Sequence, residues 1–468
     1  MNQLEHITHI FETQRNQISY PNLSHRKENL RKLRDWILTN KSAIHEAHHL
    51  DLRKPESEVD LAEIWYVTSE IKLALRNIEE WLRPQPYGVS SLALITARSW
   101  TFAEPKGNVL IIAPWNFPFN LSIGPLVSAL AAGNRVILKP SELTPNVSAL
   151  IEKMVSECFD ETEAKVFQGA VETAQHLLSH PFDHIFFTGS PAVGKIVMSA
   201  AAKHLSSVTL ELGGKSPAII DETADMKMAV KKLVWGKFIN MGQSCIAPDH
   251  IMVHQSKMDE LVEAIQGRIK TVYGNTFEER KQSRDIARIV NQHHFERVKG
   301  MLDKALSEGA TLIHGGENDA GDLYLDLAVL SNISLDMSIM NEEIFGPILP
   351  IVPFNSLDEC VSQINKRPKP LAIYLFSSSH KNKQKITQEI SAGGMVINEV
   401  KTHFLNLKVP FGGVNNSGLG RSHGFAGFRE FSNEKTMLEN GKFSTLNLIF
   451  PPYTNFTKKL IKFFTKYL

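Results

Sequence analysis

The chain has 468 residues, 43% of them apolar and 22% charged, with a formal net charge of +1. That length allows two or three domains of roughly 100–200 residues each, the composition is that of a globular protein with sizeable cores, and the balanced charge gives no footprint for nucleic acid. Three widely spaced cysteines exclude a disulfide framework and fit a reducing cytoplasm. The N-terminus lacks the apolar core of a secretory signal, and no apolar stretch approaches the ~20 residues that span a bilayer. Histidine pairs such as His48-His49 are adjacent rather than at ligand spacing, so no metal site is expected.

In chain order, residues 1–83 read as amphipathic helices, with Leu30, Leu33 and Ile37 on one face, and end at Pro84 and Pro86. A β-branched, polar-alternating segment at 93–102 follows. From Gly107 the rhythm changes. Short apolar strands at 107–113, 135–139, 164–168 and 184–188 alternate with helices at 121–132, 145–159, 172–178 and 193–204. This alternation implies βαβ units and a parallel sheet covered on both faces. A strand ends at Glu211, and a second α/β series begins beyond it. Its helices are expected near 225–240, 257–271, 285–308, 357–366 and 380–391, and its strands at 348–353, 371–377 and 395–398. The tail, 456–468, is basic and amphipathic. It reads as a helix docked on its own subunit or a partner, with a weak contact to an anionic membrane surface as the alternative.

The chemistry concentrates between Val208 and Asp249. Glu211 stands beside Gly213 and Gly214, and Cys245 lies just past the helix that breaks at Gly242. A free cysteine is most often a small buried hydrophobe, which suits Cys158 and Cys360. Cys245, flanked by Gly242, Gln243 and Ser244, is the candidate nucleophile. Asn116, between Pro114 and Pro118 at a strand end, is either a turn former or a rigid amide donor for an oxyanion. Lys139 and Glu142 form either a surface ion pair or a grip on sugar hydroxyls. The turn Gly189-Ser190-Pro191 with Gly194 opens a helix that could face a pyrophosphate, although it matches neither the dinucleotide fingerprint nor a Walker loop.

Together PWNF, KPSE, FTGSPAVG, ELGGK, GQSC and EEIFGP, in this order, resemble the aldehyde dehydrogenase superfamily. The resemblance covers about residues 24–434. Further stretches, among them Cys245-Ile246-Ala247-Pro248-Asp249, resemble its class-three branch of fatty and aromatic aldehyde dehydrogenases. It implies an α/β fold with a Rossmann-type NAD-binding domain (1–83 and 103–207) and a catalytic domain (208–417). A small β oligomerisation arm (84–102 and 418–435) and a tail (436–468) complete it, with a homodimer as the assembly.

The resemblance also implies roles. Cys245 attacks the aldehyde, and the Asn116 amide and the Cys245 backbone N–H hold the oxyanion. Hydride passes to the nicotinamide, and Glu211, its pKa raised by burial, activates the water that hydrolyses the thioester. Lys139 and Glu142 match the adenosine-ribose positions, Gly189, Ser190 and Gly194 the pyrophosphate turn, Glu343 the nicotinamide ribose, and Trp115 and Phe345 its surroundings. NAD is the expected cofactor, with NADP open. Departures from the family pattern are Phe117 for Tyr, Ser244 for Thr, Glu399 for Asp and Asn415 for Gly. The rival readings are a CoA-acylating dehydrogenase, against which Glu211 argues, and a thiol esterase without redox chemistry.

Overall fold

Two parallel sheets meet at the Glu211 strand. The computed structural model describes residues 2–17, 19–89, 94–442 and 444–467. Residues 90–93, part of the expected arm, and Leu468 of the tail lie outside the described residues.

The first sheet has six strands in the order Gly418–Leu419, Ser207–Leu212, His184–Gly189, Asn108–Ile112, Arg135–Lys139 and Ala164–Val166. All are parallel except the first, in which Gly418 opposes Glu211. The period-2 alternation of a strand explains why each central strand is apolar throughout. Val109 and Ile111 enter one core with the N-terminal helices, whereas Leu110 and Ile112 enter another beneath Ile7, Ile10 and Phe11.

The second sheet has seven strands, ordered Thr311–His314, Ala328–Ser331, Ile348–Phe354, His250–His254, Pro217–Ile220, Ala372–Phe376 and Gly394–Ile397. It is parallel apart from its first pair. It splits in the same way, with Tyr374 and Phe376 in one core and Ile373 and Leu375 in the other.

The N-terminal helices include a π-turn, Asp60–Ile64, immediately before the helix Trp65–Trp81. It aims Glu63 inward, where its carboxylate accepts from Lys54 Nζ at 2.7 Å and from the Asn120 backbone N–H at 2.8 Å.

Several expectations need correction. Four strands are absent from the sequence reading: Pro217–Ile220, His250–His254, Thr311–His314 and Ala328–Ser331. They are four or five residues long, too short to show a period. The helix expected at 285–308 spans Gln292–Ser307 with Asn291 as its cap, and a separate turn of helix occupies Phe277–Gln282. The segment 418–435 divides. Gly418–Leu419 joins the first sheet, and the helix Gly424–Glu430 packs on Trp65–Trp81 and Asn120–Ala132. Only Ser432–Asn440 pairs with Ala97–Pro105, which also carries Gln85–Tyr87, in a three-stranded antiparallel arm. The arm therefore takes 436–440 from the expected tail. The boundary at 207–208 likewise falls inside a strand of the first sheet, Ser207–Leu212.

Candidate active site

Cys245 is set by an unusual turn. The helix Met226–Phe238 runs into Ile239–Gly242, where Asn240 (φ +52°) and Met241 (φ +55°) are both left-handed and Gly242 has φ +72°. Two successive non-glycine residues in that region are strained, and such strain persists only where surrounding contacts impose it. A Cβ at Gly242 would lie 2.2 Å from the Gly346 carbonyl oxygen, so only glycine allows the turn to press against that loop. Asn240 Nδ2 donates to the Asn116 carbonyl at 2.8 Å, and the Gln243 amide spans to the Arg288 carbonyl and the Val290 N–H. Cys245 emerges half-buried, whereas Cys158 and Cys360 are buried. Burial, with Glu343 and Glu211 nearby, pushes its thiol up to about 12.

Asn116 is clamped from behind. Its carbonyl accepts from Lys54 Nζ at 3.0 Å as well as from Asn240, and its Nδ2 donates to the Gln243 carbonyl at 3.1 Å. One amide hydrogen is left for another acceptor. Lys54, fully buried and paired with Glu63, is a site-building residue that the sequence reading misses. Its only local signal is a lysine before Pro55.

Glu211 ends its strand with Oε1 accepting from Ser422 Oγ at 2.9 Å and Oε2 buried without a partner. Burial pushes its carboxyl up to about 8, against the opposing pull of the Ser422 hydroxyl and Arg421. Ser422 is also missed by the sequence reading.

A cavity of about 520 Å³ opens on one side of these residues. It is lined by Trp115, Asn116, Thr188, Gly189, Ser190, Glu211, Cys245, Glu343 and Phe345, among others. On the other side a pocket of about 50 Å³ is walled by Tyr66, Phe404, Phe411 and His423. Cys245 and Glu211 line both. They form the wall between two chambers.

Glu343 reaches the larger cavity because Gly213 has no side chain: a Cβ there would be 1.9 Å from Glu343 Oε2. Burial and then Asp249 push the Glu343 carboxyl up to about 8. Its loop is pinned by Lys215 Nζ, which donates to Asp249 at 2.5 Å and to the Ile339 and Glu342 carbonyls, while Asp249 accepts from the Ile344 N–H. Phe345 sits at φ +47° with its ring edge-to-face against Trp115, centroids 5.3 Å apart. Ser190 caps the helix Pro191–Ala202 by accepting from the Val193 N–H.

The other expected cofactor residues lie outside this cavity. Lys139 and Glu142 form an ion pair at 2.8 Å at the end of their strand. Gly194 does not line the cavity either. A Cβ there would stand 2.8 Å from Leu212 Cδ2, so its bareness lets the helix approach the Glu211 strand. Asn415 adopts φ +54°, the positive value that glycine would otherwise serve.

The sequence profile of the aldehyde dehydrogenase family matches residues 4–437. This chain belongs to that family. It is 43% identical over 442 residues to the 4,4'-diaponeurosporen-aldehyde dehydrogenase of Staphylococcus aureus, covering 94% of this chain and 95% of that one. It is 42% identical over 416 residues to aldehyde dehydrogenase family 3 member A2 of Pongo abelii, covering 89% and 84%. Relatives of this kind place the chain on the class-three-like side of the family. Among solved structures, the substrate-bound state of Staphylococcus aureus AldH superposes with a TM-score of 0.94 at 41% identity, covering 99% of this chain and 100% of that one. The NAD+ complex of an aldehyde dehydrogenase from Bacillus cereus superposes with a TM-score of 0.86 at 28% identity, covering 94% and 90%. The protein is thus an oxidoreductase of the aldehyde group, on the α/β aldehyde dehydrogenase fold.

Proposed function

We propose that the enzyme oxidises apolar aliphatic or aromatic aldehydes to free carboxylic acids with NAD, and accepts NADP. The observation that carries the reading is the shared wall: Cys245 and Glu211 each face both chambers. A thiol that attacks a carbonyl entering from the narrow aromatic side leaves the reacting carbon open to a cofactor on the other.

The residues present fit a dinucleotide. The larger cavity holds buried polar atoms without partners, Glu343 Oε1, Thr188 Oγ1 and Glu211 Oε2. Glu343 would hold the nicotinamide ribose, Trp115 and Phe345 would flank it, and Gly189 and Ser190 would meet the pyrophosphate at a helix N-terminus. Lys139 and Glu142 would hold the adenosine end, and the Glu142 carboxylate opposes a 2′-phosphate, which favours NAD. Once bound, the cofactor supplies the hydride acceptor. Cys245 forms the bond to the aldehyde carbon, and the free Asn116 amide hydrogen and the Cys245 N–H stabilise the oxyanion. Glu211 takes a proton from the water that cleaves the thioester. Its raised pKa suits a base working near neutral pH.

We assign the first sheet with its helices to the dinucleotide and the second to the catalytic loop. The exposed arm, in which Tyr87 is 59% and Leu438 48% exposed, is the surface for a second copy. Among the described residues no helix is long and apolar enough to cross a membrane. The tail helix Asn455–Tyr467 carries Lys458, Lys459, Lys462 and Lys466 and no acidic residue, which supports a weak contact with an anionic lipid surface. The three free cysteines suit the cytoplasm as its location.

The test is NADH formation from aldehydes of increasing chain length, with and without CoA, beside Cys245→Ala. Turnover without CoA that the variant abolishes is the expected result. A strict need for CoA would remove Glu211 from the deacylating role, and ester cleavage alone would favour the esterase.

A further inference from the structure

The site contains a lysine that the reaction outlined above does not use. Lys401 follows the strand Gly394–Ile397 and begins the short helix Thr402–Leu405 in the left-handed region, φ +61°. It is 7% exposed, and its Nζ is sealed from solvent without a hydrogen-bond partner. Buried lysines are rare unless paired, because the ammonium loses its hydration without compensation. An unpartnered one beside a nucleophile calls for a functional account.

Its surroundings tie it to Cys245. Tyr374 donates its hydroxyl hydrogen to the carbonyl of Ile246, the residue after Cys245, at 2.6 Å, and the Lys401 backbone N–H faces the same phenol oxygen. Val400, Tyr374 and Ile246 belong to one buried cluster, and Cys245 packs against it. The charged groups facing the amine are Glu58, Cys245, Lys237 and Lys54. Glu58 accepts from the Asn240 N–H at 3.0 Å, at the base of the turn that carries the thiol, and itself faces Asp285. His403, on the same short helix, is held neutral by burial.

We propose that Lys401 sets the ionisation of Cys245 by holding the proton that the thiol gives up. The S–H bond breaks and an N–H bond forms on the amine, leaving a thiolate and an ammonium in one buried cluster. The sulfur electron pair then makes the bond to the aldehyde carbon. When water cleaves the thioester, the departing thiolate takes the proton back. Lys401 touches neither aldehyde nor cofactor and acts through the cysteine. Its burial pushes the amine down to about 7, so at neutral pH it is poised to accept a proton. Glu211, pushed up to about 8 and bonded by Ser422, is largely protonated there and is needed later for water.

The inference rests on Cys245 being the nucleophile, and the experiment separates the two. Iodoacetamide alkylation of the full-length enzyme with saturating NAD is followed from pH 5 to 10, Cys245 modification is mapped by mass, and residual dehydrogenase activity is read in parallel. Lys401→Met removes no hydrogen bond, and at pH 7 it should slow alkylation at least tenfold and move the inflection upward. Lys401→Arg keeps a permanent cation and should restore the rate with the inflection flattened. The arginine variant carries the test if the methionine variant fails to fold. Profiles that superimpose on the parent enzyme overturn the role of Lys401. Full activity after complete Cys245 alkylation overturns the nucleophile assignment and this inference with it.

Discussion

Ser422 donates its hydroxyl hydrogen to Glu211 Oε1 at 2.9 Å, across 211 positions of sequence. A donor to the ionised carboxylate favours that form, so Ser422 restrains a pKa that burial drives to about 8. Ser422→Ala should raise it further. The charge-assisted bond is worth roughly 1.5–3 kcal/mol, or about one to two pH units. Because the base works only when ionised, kcat at pH 7 should fall about tenfold or more and recover above the new pKa. A loss of equal size from pH 6 to 10 would rule out this account.

Asn116 presents its remaining amide hydrogen to the chamber between the two cavities. Asn116→Ala should lower kcat by about 10²–10³ with a smaller change in KM. Comparable losses in thermal stability and activity would instead make it a packing residue.

Lys54 and Glu63 are a fully buried pair, and Lys54 also holds the Asn116 carbonyl. Lys54→Met alone strands a buried carboxylate and should cost about 3–5 kcal/mol in urea unfolding. Lys54→Met with Glu63→Gln should cost less than the single change, because the uncompensated charge is gone.

Glu142 ion-pairs with Lys139 at 2.8 Å. Glu142→Gln should free that ammonium for a 2′-phosphate and raise kcat/KM with NADP about tenfold, some 1.4 kcal/mol. An unchanged NADP/NAD ratio would place the adenosine end elsewhere.

Removing residues 442–468 deletes five lysines and no acidic residue. The shortened enzyme should oxidise small soluble aldehydes normally but lose sedimentation with anionic vesicles, where each surface lysine contributes about 1 kcal/mol. Equal sedimentation of both forms would assign the tail to a protein contact.

Much of this architecture is legible along the chain. The strand Arg135–Lys139 and the helix Met226–Phe238 follow from hydrophobic runs and periodicity, and Cys245 stands out by its polar, glycine-flanked turn. The missed strands illustrate where that fails. Pro217–Ile220 offers four residues, and His250–His254 opens and closes on histidine. Ser422, Lys54 and Lys401 have no local signature, because each acquires meaning from a partner far away in sequence. Gly194 shows the reverse: a motif position whose bareness serves helix packing against Leu212 rather than the large cavity.

The left-handed pair Asn240 and Met241 has a consequence for how the enzyme comes into being. Their conformation is held by Glu58, Asn116 and the Gly346 loop, three segments that meet only after both sheets have docked. A half-folded chain therefore carries an ordinary thiol at position 245, and reactivity arrives with the last assembly step. Titrating that thiol counts finished molecules.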